Sequence, residues 1–120
     1  MREGLAVYYG NPHHYYSGEK FLELSVDKGY FFDALDEKAK KDNIPESIRY
    51  FYVYGEYRSF VKYLVNTYGL EAFLNFTHAY IKNPKSEKQL FKDVFGTNLG
   101  NTFNSFRKAI EYERDNIMRN

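Results

Sequence analysis

At 120 residues, with 17 Lys and Arg against 16 Asp and Glu, the chain has room for one domain with one core and has little excess of either charge. That balance argues against a nucleic-acid partner, whose binding surface is usually basic, and the absence of cysteine removes disulfides, thiolate metal sites and cysteine nucleophiles together. No apolar run reaches the length that crosses a bilayer, and the first residues lack the basic and apolar regions of a signal peptide, so a soluble chain with no membrane partner is expected.

Residues 1–10 form a short amphipathic stretch in which Leu5, Ala6 and Tyr9 can share a face. Glu3 lies in its opening turn with no capping residue before it, so the stretch reads as the end of a helix, which Gly10, Asn11 and Pro12 stop. A polar aromatic loop holding His13 and His14 then leads into a weak helix around Phe21, Leu22 and Val26, with Gly29 as its stop. Residues 31–42 read as another short helix that buries Phe31, Phe32 and Leu35 and leaves Asp36 to Asp42 solvated. Asn43 as cap, Pro45 in the first turn and Glu46 three residues after the cap open the next element.

That element is the central helix. Tyr57, Phe60, Val61, Leu64, Val65 and Tyr68 recur at three- and four-residue steps, and Tyr54, Val53 and Tyr50 continue the series backward. Glu56, Arg58, Lys62 and Asn66 are assigned to the opposite face, with Glu56 as a solvated charge, and Gly69 is placed to close the helix in a left-handed conformation. A second stripe of Leu70, Phe73, Leu74, Thr77, Tyr80 and Ile81 follows, ended by Asn83 and Pro84. Ser86 and Gln89 match a capping box for a helix carrying Leu90, Phe91 and Val94 and closed by Gly96. Asn98 or Thr97 can cap the last helix, whose Leu99, Phe103, Phe106 and Ile110 are spaced by four, three and four, while 113–120 is expected to fray. The pattern predicts a single all-α domain over 1–120 with about five to six helices, its core supplied largely by the 13 Tyr and 11 Phe.

Two of these segments, taken in order, resemble gluzincin zinc metallopeptidases, the thermolysin and aminopeptidase superfamily. The run Glu3-Gly4-Leu5-Ala6-Val7-Tyr8 is similar to the family's Trp-x-x-Glu-Gly-Leu-Ala-x-Tyr from the glutamate onward. The run from Tyr54 through Ser59, Phe60, Val61, Tyr63 and Leu64 to Tyr68-Gly69 looks like the helix that follows the zinc site. Phe91, Phe95, Gly96 and Leu99 match the later Phe-x-x-x-Phe-Gly-x-x-Leu, so the resemblance spans nearly the whole chain. It implies the fold of the C-terminal helical subdomain, with Glu3 as the third zinc ligand of an intact parent. It implies further that Tyr54 is a catalytic residue whose hydroxyl donates to the oxyanion formed when water attacks a peptide carbonyl.

The departure is the missing His-Glu-x-x-His, which places two imidazoles four residues apart on one helix face. His13, His14 and His78 do not have that spacing, and in the family the helix bearing the pair would precede Glu3. Zinc and a peptide substrate are therefore expected of the parent, and neither zinc nor activity of this chain alone, whether it is a fragment, a truncated gene product or a member that lost its metal half. In that reading Glu3 and Tyr54 converge on one open groove. The alternative is a non-catalytic helical domain that binds a protein partner through exposed aromatics. A homo-oligomer formed through bared cleft surface is expected under either. For the histidine pair a loop role is the simpler assignment, and for His78 a helix-surface one.

Overall fold

Apolar residues at helical spacing organise the chain into five α-helices among the residues that the computed structural model describes, 18–36 and 41–119. They are α1 (Gly18–Leu22), α2 (Glu46–Tyr68), α3 (Leu70–Lys82), α4 (Glu87–Phe95) and α5 (Leu99–Arg119), with no strand among the described residues. A π-helical turn (Glu23–Asp27) extends α1, and a 3-10 turn (Pro84–Ser86) leads into α4. None of the described helices is long and apolar enough to cross a membrane. The first predicted helix, residues 1–10, lies outside the described residues.

The core is aromatic and forms where the helices meet. Between α2 and α5, Phe60 packs on Phe103 and Phe106 with ring centroids 5.2 and 5.3 Å apart, and Phe31 covers the same pair at 5.4 and 6.0 Å. Between α3 and α4, Phe76 meets Phe91 and Phe95 at 5.6 and 5.5 Å. Edge-on and tilted geometries dominate because they set a ring's positive edge against a neighbour's negative face, which adds about 0.5–1.5 kcal/mol per pair to area burial. Leu99, Phe103, Phe106 and Ile110 are all buried, so α5 uses the stripe its spacing predicted. Asn98 caps it, its Oδ1 accepting the Gly100 and Asn101 amides at 2.7 and 3.3 Å. The helix continues through the expected frayed tail to Arg119, held to the π-helical turn by the ion pair between Arg114 and Asp27.

Five local expectations are corrected. Residues 31–36 are not helical: Tyr30 and Phe31 donate to Leu24 and Ser25, Phe32 donates to a side chain, and Asp33 Oδ1 takes the Leu35 amide, so the donors a helix needs are already spent. Asn43 does not cap α2 either, because its amide reaches across to the Gly29 carbonyl at 3.2 Å and the helix starts after Pro45. Gly69 has φ 94° and ψ 154°, a positive-φ but extended conformation rather than the left-handed helical one, and it turns the chain straight into α3. In α3 the buried stripe is Phe73, Phe76 and Thr77, with Leu70 and Ile81 52% and 69% exposed, since Phe76 rather than Leu74 faces α4. Ser86 makes no capping bond, and Gln89 instead bonds Asp93 one turn on.

Candidate functional site

Helix α2 carries the residues of interest on two different sides. Tyr54 is half-buried, its ring 4.6 Å from Tyr50 and edge-on to Tyr57 at 6.3 Å, so three tyrosines form a ladder up one flank. Tyr50 and Phe51 at its foot are 55% and 38% exposed. The Tyr54 hydroxyl has no hydrogen-bond partner among the described residues, whereas Tyr52 and Tyr68 bond to Glu56 and Thr102. Tyr57, the upper rung, lines a solvent-open groove of about 1040 Å³ with Ala34, Leu35, Lys41, Tyr80 and Lys85.

Glu56 corrects the assignment of a solvated charge. It is fully buried, four residues after Tyr52 and four before Phe60, and therefore lies along the buried stripe rather than opposite it. Its Oε1 accepts the Tyr52 hydroxyl at 2.9 Å and the Phe32 amide at 3.1 Å, while Oε2 is buried with no partner among the described residues. Aromatic rings enclose the pair: Phe21 stacks on Tyr52 at 5.9 Å, and Tyr30 and Phe32 meet it edge-on at 6.0 and 6.4 Å. Removal from water pushes the carboxyl from an ordinary 4.5 up to about 8, against the bonds from Phe32 and Tyr52 and the charge of Lys41, with Asp33 adding to the rise. At neutral pH the acid form dominates, by roughly ten to one at pH 7. Burial also pushes the Tyr52 phenol well above its usual value, helped by the neighbouring carboxyl.

The predicted site residues fare unequally. Glu3, His13 and His14 lie outside the described residues, so the expected convergence of Glu3 with Tyr54 does too. His78 is exposed on α3. Among the described residues no group of three His, Cys, Asp or Glu side chains could hold a metal ion, so these residues by themselves do not fit zinc. Glu56 is the residue that sequence reasoning missed, and its four-residue spacing from Tyr52 and Phe60 was the signal that pointed to it.

In comparisons with known proteins, no family model, no curated protein and no solved structure matches the chain.

Proposed function

We propose that this chain is the helical part of a gluzincin-type peptidase, in which Tyr54 supplies a hydrogen bond to the oxygen that turns negative as a peptide carbonyl is attacked. The observation that supports this is the Tyr54 phenol itself: fixed between two rings on a long helix, one turn from the Tyr57 that lines an open groove, and with no hydrogen-bond partner among the described residues. A phenol suits the task because it donates without bringing a competing charge, and a fixed ring has little reorganisation to do when charge develops. The groove that Tyr57 lines is of the size that accommodates a few residues of extended peptide. Glu3 would contribute one metal-ligating carboxylate of the parent, the two imidazoles lying in a segment outside this sequence.

The isolated chain is then inactive, and joining it to an upstream helix bearing His-Glu-x-x-His restores zinc binding, read as about one zinc per chain by atomic absorption. In that extended protein Tyr54→Phe lowers kcat by about 10²–10³-fold with zinc content unchanged, the usual cost of one oxyanion donor. An extended chain that folds and takes up no zinc refutes the reading. The exposed Tyr50 and Phe51 favour a second one, a helical interaction domain that pairs through this flank of α2. Under it the chain is a dimer by light scattering and Tyr50→Ser with Phe51→Ser makes it a monomer, without any metal.

A further inference from the structure

The buried Glu56 carboxyl has a place in the fold that the peptidase reading does not use. It is the one acidic or basic side chain buried among the described residues, and it joins two elements that also meet through the rings of Tyr30 and Phe32 against Tyr52 and Tyr57: the non-helical segment 28–36, and α2. Hydrogen bonds hold that segment at three levels, and the Phe31 ring packs on Phe103 and Phe106 of α5. Tyr30 and Phe31 bond back to the π-helical turn, the Asn43 amide bonds the Gly29 carbonyl, and the Phe32 amide bonds Glu56 Oε1. The last is the bond that fixes it to the central helix, and the Phe32 ring then closes over Tyr52 and Tyr57 at 6.4 and 5.9 Å. Beyond Phe32, Ala34, Leu35 and Asp36 form one wall of the open groove.

We propose that Glu56 is a proton-operated latch: in its acid form it holds segment 28–36 against α2 through the Phe32 amide, and on ionisation it releases that segment and reshapes the groove wall. The physical reason lies at Oε2. As a protonated oxygen it is small, neutral and tolerable without a partner, but as half of a carboxylate it needs water or a cation, and none of the described groups reaches it. Water reaches it by the lifting of the segment that carries Phe32. The charged groups that act on the carboxyl are Asp33 on that segment, which opposes ionisation, and Lys41, which favours it and whose Nζ rests 5.0 Å over the Phe32 ring. Tyr52 on α2 donates to Oε1 in either form, and α1 contributes only the apolar Phe21 ring stacked on Tyr52. Lys41 therefore moves with the latch, exchanging the aromatic face for the exposed carboxylate as the segment opens. Burial of Glu56 places the transition near pH 8. The latch stands independently of any peptidase ancestry.

The test is amide hydrogen exchange of the full chain from pH 6 to 9.5, with rates divided by the intrinsic rate at each pH. The expected result is a fall of about tenfold or more in Phe32 protection through pH 8, with Phe73 protection in α3 unchanged and with Glu56→Gln abolishing the fall. Constant Phe32 protection in the unmodified chain, or an equal fall in the Gln variant, overturns the proposal. Where the variant does not fold, the carbon resonance of the Glu56 carboxyl in the unmodified chain decides: a midpoint near 8 shared with the Phe32 amide shift supports the latch, and any other midpoint, or a midpoint near 8 that the Phe32 amide does not follow, overturns it.

Discussion

Replacing Glu56 by Gln should shift the stability of the domain in favour of the variant by an amount that grows with pH. Gln keeps the Oε1 acceptor for the Phe32 amide and the Tyr52 hydroxyl, and it puts an amide nitrogen of similar size where Oε2 stands. The acid leaves one buried donor without a partner and the amide leaves two, a cost to the variant that is the same at every pH. What differs is titration. In the unfolded chain the carboxyl ionises near 4.5, and in the fold not until about 8. Between those values the folded state binds one proton more than the unfolded state, and stability therefore falls as pH rises, by about 1.4 kcal/mol per unit. The contribution of Glu56 is complete below pH 4.5, is lost progressively above it, and levels off beyond pH 8. The advantage of Glu56→Gln should thus increase by about 3 kcal/mol from pH 4.5 to 7 and by about 5 kcal/mol by pH 9, a large share of the stability of a domain this size. Urea unfolding of both proteins at pH 5, 7 and 9 measures it, and the remaining titrating groups drop out of the difference. An advantage that stays constant with pH would refute the reasoning, because it would mean that the Glu56 carboxyl titrates alike in both states.

Phe76→Ala should cost about 3–5 kcal/mol in the same assay, against under about 0.5 kcal/mol for Ile81→Ala, because Phe76 is fully buried between Phe91 and Phe95 while Ile81 faces solvent. Gly69→Ala and Gly96→Ala should each cost about 1–3 kcal/mol through the backbone alone, since a Cβ at either position meets nothing within 4 Å. Asn should recover part of that loss at Gly96, which is left-handed, but none at Gly69, whose ψ of 154° lies outside the region Asn tolerates. Tyr54→Phe should leave the thermal midpoint unchanged, whereas Tyr52→Phe, which strips Glu56 of a donor, should lower stability by about 1 kcal/mol. Arg114→Ala should loosen the end of α5. The guanidinium beside Asp27 holds that carboxyl below its ordinary range, so the pair's contribution is present above the usual carboxylate pKa and vanishes as pH falls through the lowered one, and the variant should lack that part of the acid transition.

The helices were legible where one physical rule acted alone. In α5 the apolar spacing, a short polar cap at Asn98 and a positive-φ glycine just ahead of it at Gly96 all agreed, and each did what it predicted. Tyr54 was legible in the same way, since its step of three from Tyr57 puts the two rings on one flank. Reading failed where side chains at long range claimed backbone donors. Nothing in the stretch from Phe31 to Asp36 tells that the Phe32 amide is taken by a carboxyl 24 residues away, and without that bond the local pattern does favour a helix. Glu56 shows the same failure from the other side. Its spacing from Tyr52 and Phe60 put it inside the apolar stripe, but its charge argued for solvent, and charge was given the greater weight. The resolution is that a buried acid need not be charged: with one oxygen bonded twice and the other protonated, Glu56 packs as a polar but neutral side chain, so periodicity outweighs formal charge where the fold offers the carboxyl two donors and little water. The same reasoning separates the two faces of α2. The acid that never meets solvent at neutral pH fixes the helix against segment 28–36, and the phenol two residues earlier, on the other flank, has no hydrogen-bond partner among the described residues.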